Sequence, residues 1–181
     1  MGEEKNYFRP KWDDYFMALA RIVATRSTCD RLRAGAVLVK ENRIISTGYN
    51  GAPPGMPHCD LKHGHLMEGG HCIRTIHAEH NCLLQAAMIS SASTQGATLY
   101  AKYGPCMHCA KYLVACGIKR IVVGPIYRHA QQAIDYLKEA DVQVNVYEEN
   151  PEVNQFFSRI MTEELKEETA PEGDIKIDIT K

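Results

Sequence analysis

Residues 97–123 read ATLYAKYGPCMHCAKYLVACGIKRIVV. Ala97 to Lys102 is a short apolar run of strand length, and Ile118 to Val123 is another. Between them, Pro105 suits the first position of a helix and Gly117, following Cys116, suits its end. Strands that alternate with helices over so few residues predict a layered α/β fold with parallel pairing.

Upstream, Trp12, Tyr15, Phe16, Leu19, Ile22 and Val23 recur at helical spacing and predict a first helix running to about Ser27. Ala34 to Lys40 and Arg43 to Tyr49 flank the turn pair Glu41-Asn42 and read as a hairpin. Asn50 to Gly70 holds three prolines. It is long for a structureless loop in a compact domain, so something should tie it down. A second helix is expected over His77–Ser91, with Ala78, Leu83, Leu84, Ala87 and Met88 facing inwards. Downstream come a helix over 130–140, a strand over 142–147 and a helix over 151–168, then an acidic and finally polar tail. The expected division is a main domain over 1–150 and a C-terminal helix and tail over 151–181.

Two short stretches carry the chemistry, His77-Ala78-Glu79 and Pro105-Cys106-Met107-His108-Cys109. Two thiolates and an imidazole suit a tetrahedral Zn²⁺, and three protein ligands leave its fourth position open for water. Cys106 and Cys109, three apart, fall on one face of a first helical turn. His77 and Glu79, two apart, would point roughly 200° apart inside a regular helix, so His77 belongs at the very start of its helix. Both stretches then open helices, whose positive dipole ends favour thiolates. Zinc lowers the pKa of bound water towards ~7, and a carboxylate beside it can move protons. Cys-x-x-Cys alone also marks zinc knuckles and redox pairs, and His-x-Glu alone means little; together they point to metal-assisted hydrolysis.

The bulk numbers fit one soluble domain with a substantial core: 181 residues, 45% hydrophobic and 24% charged. A net charge of -1 argues against nucleic acid as the main ligand. No apolar run reaches membrane length and no signal-peptide pattern opens the chain. Seven cysteines, several beside histidines, suit metal ligation in a reducing cytoplasm better than a disulfide framework.

His-x-Glu followed by Pro-Cys-x-x-Cys is the signature of zinc nucleobase deaminases. With Arg26-Ser27-Thr28-Cys29, Gly35-Ala36-Val37, Gly48-Tyr49-Asn50-Gly51-Ala52-Pro53-Pro54-Gly55 and Arg74-Thr75-Ile76-His77-Ala78-Glu79, the chain resembles the cytidine/deoxycytidylate deaminase superfamily. Within it, the resemblance is to the bacterial and phage type of deoxycytidylate (dCMP) deaminase, over about residues 12–148. It implies a three-layer α/β/α fold with a central mixed five-stranded sheet flanked by helices, and hydrolytic deamination of dCMP to dUMP. His77, Cys106 and Cys109 would hold the catalytic zinc. Glu79 would take a proton from water, protonate N3 of the ring and pass a proton to departing ammonia, with N–H groups near Ala78 and Cys106 relieving negative charge. Asn50 would bond the sugar. Arg26 and Ser27, preferred over Arg31, Arg33 and Arg74, would hold the 5′-phosphate, and Tyr127 would contact the nucleotide or merely pack. The resemblance also implies a homo-oligomer, often a hexamer, activated by dCTP and inhibited by dTTP through the loop of Gly48, Tyr49, Asn50, Gly51 and Gly55.

A second, structural zinc is implied as well, with Cys29 and Cys59 matching its cysteine positions. His71 is the expected third ligand, and Cys72 and His65 compete for the fourth place. His58, His63, His80 and His108 read as non-ligands, and Cys82 and Cys116 as core. The same signature also serves enzymes acting on free cytidine or deoxycytidine, cytosine, guanine, tRNA adenosine and riboflavin precursors. A non-catalytic zinc-dependent binding module would be favoured by loss of the carboxylate, yet Glu79 is present.

Overall fold

The computed structural model describes residues 8–59, 62–89, 93–126 and 130–162. They fall into two units, one ending at Glu149 and the other beginning at Asn150. The first contains α1 (Trp12–Ala24), β1 (Gly35–Lys40), β2 (Arg43–Tyr49), β3 (Met67–Glu68), β4 (His71–Cys72), α2 (Ala78–Ile89), β5 (Thr98–Ala101), α3 (Met107–Ala115), β6 (Arg120–Val123), α4 (Gln131–Glu139) and β7 (Gln143–Val146). The second holds α5 (Pro151–Thr162). There Pro151 occupies the first helical position, and the Asn150 side chain accepts the Glu152 N–H at 3.0 Å. Residues 163–168 of the expected last helix, and the tail, lie outside the described residues.

The main sheet has the order β2-β1-β5-β6-β7. β5, β6 and β7 are parallel, as the alternation of strands and helices predicts. The opening hairpin joins them antiparallel through β1 and β5, which makes the sheet mixed. Glu41 and Asn42 both take positive φ, 50° and 58°, the conformation a tight two-residue hairpin turn requires.

Side-chain alternation along the strands builds two cores. Val37, Val39, Tyr100 and Val122 point to one face and meet Phe16, Met17 and Ala20 of α1. Ala36, Leu38, Leu99, Ala101, Ile121 and Val123 point to the other, where α2, α3 and α4 cover them. The result is three layers, α1, sheet and α2–α4. The inward face of α2 differs from expectation. Ala78, Cys82, Leu83 and Ala86 are buried, whereas Leu84 is 37% and Met88 77% exposed.

One polar network ties α1 to the sheet away from the metal motifs. Arg120 grips Asp13 with two hydrogen bonds of 2.6 and 2.9 Å, and Tyr100 Oη donates to the same carboxylate at 2.8 Å. The guanidinium holds the Asp13 carboxyl below its ordinary pKa. The stabilisation is therefore present above the unfolded carboxyl's pKa of ~4 and disappears as pH falls through the lower folded value. Asp13→Asn is expected to cost about 1 kcal/mol at pH 7, because the pair is partly exposed. Urea unfolding of both proteins at pH 7 and pH 3 should show the difference shrinking at the lower pH.

Candidate active site

His77 directly precedes α2, Cys106 is the N-cap of α3, and Cys109 lies in the first turn of α3. Both helices start at the sheet end where β5 finishes and β1 begins, so their N-termini converge there. His77 Nδ1 is 3.4 Å from Cys106 Sγ and 3.6 Å from Cys109 Sγ. A zinc tetrahedron with ordinary Zn–S and Zn–N bonds has an N···S edge of about 3.5 Å, so this donor set fits the metal. Cys109's hydrogen bond, followed by the His77 imidazole, brings Cys106 down to about 3. The Cys106 sulfur and burial push Cys109 up, and Cys106 holds His77 up. One sulfur thus ionises readily, as ligation requires.

Glu79, one turn into α2, is a buried carboxyl, and that burial raises its pKa. It lines a cavity of about 270 Å³ together with His77, Ala78 and Cys106. The remaining wall comes from Cys29 to Gly35, Asn50, the β4 pair His71 and Cys72, Thr75, and the segment from Ala101 to Gly104 after β5. Sites at the carboxyl ends of parallel strands are the general rule for open α/β sheets.

The long loop is tied down by a second cluster. Cys29, Cys59, His65 and Cys72 bring four ligand atoms within 4.8 Å of one another. Cys59 and Cys72 have their sulfurs 3.6 Å apart, and Cys29 Sγ lies 3.9 Å from His65 Nδ1. Three thiols and one imidazole are the donors of a closed structural zinc site. His65 Nε2 meets Asp30 Oδ1 at 3.1 Å, a carboxylate placed to orient the ring. Burial drives Cys59 up to about 12. Burial also opposes ionisation of Cys72, but the Arg74 N–H and His65 outweigh it and bring that thiol to about 7.

Cys72 and His65, which competed for one place, both enter this cluster, and His71 does not. The reason is strand geometry: neighbours on β4 face opposite ways, so with Cys72 turned towards Cys59, His71 cannot join it. His71 lines the cavity instead.

Arg26 and Ser27 also depart from expectation, since neither lines the cavity. Ser27 organises a turn: its Oγ donates to Cys29 O or Asn50 O, both at 3.0 Å, and accepts from Cys29 N–H at 3.2 Å. That leaves Arg26 exposed on the far side of the turn, while Arg31 reaches the cavity. Asn50 does line it, although its amide already braces the wall. Nδ2 donates to Leu32 O at 2.7 Å and Oδ1 accepts Ala34 N–H at 2.8 Å, leaving one N–H and one lone pair. Gly48 packs under α2, Tyr49 O accepts from Asn81 at 2.9 Å, and Gly51 exchanges hydrogen bonds with Ile76. Gly55 takes a φ of 81° in open space. Tyr127 lies outside the described residues.

Thr75, Tyr103 and Ala130 are lining residues that sequence reasoning did not single out. Tyr103 carried a usable signal, its position just past the carboxyl end of a parallel strand.

Residues 10–125 match the cytidine and deoxycytidylate deaminase zinc-binding region. The chain is 40% identical over 140 residues to ComE operon protein 2 of Bacillus subtilis, covering 77% of this chain and 73% of that one. It is 37% identical over 147 residues to the deoxycytidylate deaminase of Saccharomyces cerevisiae, where it covers 77% of itself and spans about half, 46%, of the yeast protein. The crystal structure of the dCMP deaminase of cyanophage S-TIM5 in complex with dCMP and dUMP superposes with a TM-score of 0.67 at 30% identity, over 78% of this chain and 100% of the phage chain.

Proposed function

The chain belongs to the cytidine and deoxycytidylate deaminase family, and from that premise we propose that it converts dCMP and water to dUMP and ammonia. The observation that carries this reading is the buried Glu79 carboxyl in one cavity with His77 and Cys106, beside Cys109. Such a reaction replaces the C4–N bond of cytosine with a C–O bond. Zinc held by His77, Cys106 and Cys109 supplies a water acidic enough to serve as nucleophile at neutral pH. Glu79 accepts that water's proton, delivers it to N3 as the ring takes up electron density, and then transfers a proton to the departing amine. Its closed surroundings keep bulk water from competing for those protons. The Ala78 N–H, one of the first-turn donors a helix leaves without an internal partner, is free to bind an oxygen of the base. Asn50 presents its remaining N–H and lone pair to the sugar.

The second cluster is read as a structural zinc that fixes the loop between Asn50 and Thr75. Purified protein should therefore carry two zinc ions per chain, and Cys59→Ser one. An unchanged ratio in the variant removes the second site. Initial rates with dCMP, deoxycytidine and dCTP test the activity, and a preference for either alternative over dCMP overturns it.

The same reading places the enzyme in the cytoplasm, where its seven unpaired cysteines stay reduced. Among the described residues no helix is long and apolar enough to cross a membrane. It also carries homo-oligomeric assembly, and control by dCTP and dTTP through Gly48–Gly55. Sedimentation as a monomer, with rate curves indifferent to both triphosphates, would count against that extension.

A further inference from the structure

A nucleoside monophosphate differs from its nucleoside by two negative charges, and a cavity that selects it must offset them. Among the described lining residues, Arg31 is the one permanently charged cation, and Glu79 is the one carboxylate. We propose that Arg31 and His71 form the subsite for the 5′-phosphate, and that the Cys29–Cys59–His65–Cys72 cluster exists to hold those two residues in place. This inference rests on dCMP being the substrate.

The guanidinium is already aimed. Its Nη1 donates to Met67 Sδ at 2.9 Å and its Nη2 to Gly70 O at 3.2 Å, both on the β3–β4 hairpin. Those bonds leave Nε–H and one N–H on each Nη, a planar fork matched to phosphate oxygens. Both ends of Arg31's segment are fixed. Two residues before it, Cys29 belongs to the four-ligand cluster; immediately after it, Asn50 clamps Leu32 O and Ala34 N–H. His71 is held from the other side, because its neighbour Cys72 belongs to the same cluster and its partner across the hairpin is Glu68. The cluster thus joins, in one body, the two chain segments that bring Arg31 and His71 into the cavity wall. The rival arginines do not line the cavity, and Arg74 Nη2 is directed at His63 O, 3.3 Å away.

Steady-state kinetics of wild type, Arg31→Met, Arg31→Lys and His71→Asn on dCMP and on deoxycytidine decide the matter, with zinc per chain measured for each. Arg31→Met should lower the ratio of kcat/KM for dCMP over deoxycytidine about a hundredfold, chiefly through KM for dCMP. Arg31→Lys should recover part of that ratio, since it restores charge without the fork. His71→Asn should lower it by about tenfold. A loss shared equally by both substrates would show that Arg31 merely supports the hairpin, and an unchanged ratio would show that phosphate binds elsewhere; either overturns the inference while dCMP stands as substrate. Wild type that handles deoxycytidine as well as dCMP overturns the substrate reading, and the subsite with it.

Discussion

Glu79→Gln is expected to lower kcat on dCMP by about 10⁴-fold while both zinc ions stay bound. General acid–base groups contribute 10²–10⁴-fold, and the upper end is appropriate because Glu79 is assigned every proton transfer in the reaction. The glutamine amide has nearly the same shape as the carboxyl, so His77, Cys106 and Cys109 should keep their arrangement. Glu79 is also a buried carboxyl whose ionisation burial opposes. A neutral side chain there removes a desolvation cost, so the variant should melt at the same temperature as wild type or higher. Steady-state assay, zinc analysis and a thermal melt on one preparation test the three statements together. Activity within tenfold of wild type would take the proton shuttle away from Glu79.

How far the sequence leads depends on the physical signal at each residue. The strand–helix–strand reading of residues 97–123 stands because its signals are strong: apolar runs, Pro105 before the helix, and Gly117 at its end with a φ of 72°. The catalytic cluster was legible because metal chemistry restricts both residue types and spacing. The buried face of α2 was not. There the helix lies so close to β2 that small side chains are selected at Ala78, Cys82 and Ala86, and bulky Leu84 and Met88 are turned outward. Hydrophobic periodicity favours large residues and so picked the wrong phase. The choice between His71 and Cys72 turned on which side of a two-residue strand faces the cluster, a question of register that spacing does not answer. Arg26 and Arg31 differ likewise only in where the turn organised by Ser27 leaves them.

That close approach of α2 to β2 gives the second large effect. Gly48→Ala is expected to destabilise the protein by about 3 kcal/mol, the upper end for overpacking, and to lower activity about a hundredfold. A β-carbon at Gly48 would overlap the backbone Cys82 N and Ala78 O and lie 2.8 Å from Cys82 Cα. Backbone atoms cannot rotate aside, so the helix itself must move. It is stitched on both sides of the clash, since Ser46 Oγ donates to Cys82 O at 2.8 Å and Asn81 Nδ2 donates to Tyr49 O at 2.9 Å. Any retreat therefore strains those bonds and carries the start of α2, with His77 and Glu79, away from Cys106 and Cys109. At about 2–4 °C per kcal/mol for a chain of this size, the melting temperature should fall by roughly 6–12 °C. Gly55→Ala is the internal control: it has the same positive-φ penalty as any left-handed glycine, about 1 kcal/mol, but meets nothing within 4 Å and should leave the chemistry alone. If Gly48 acts only in effector binding, Gly48→Ala will instead keep the wild-type melting temperature and basal rate and change only the response to dCTP or dTTP.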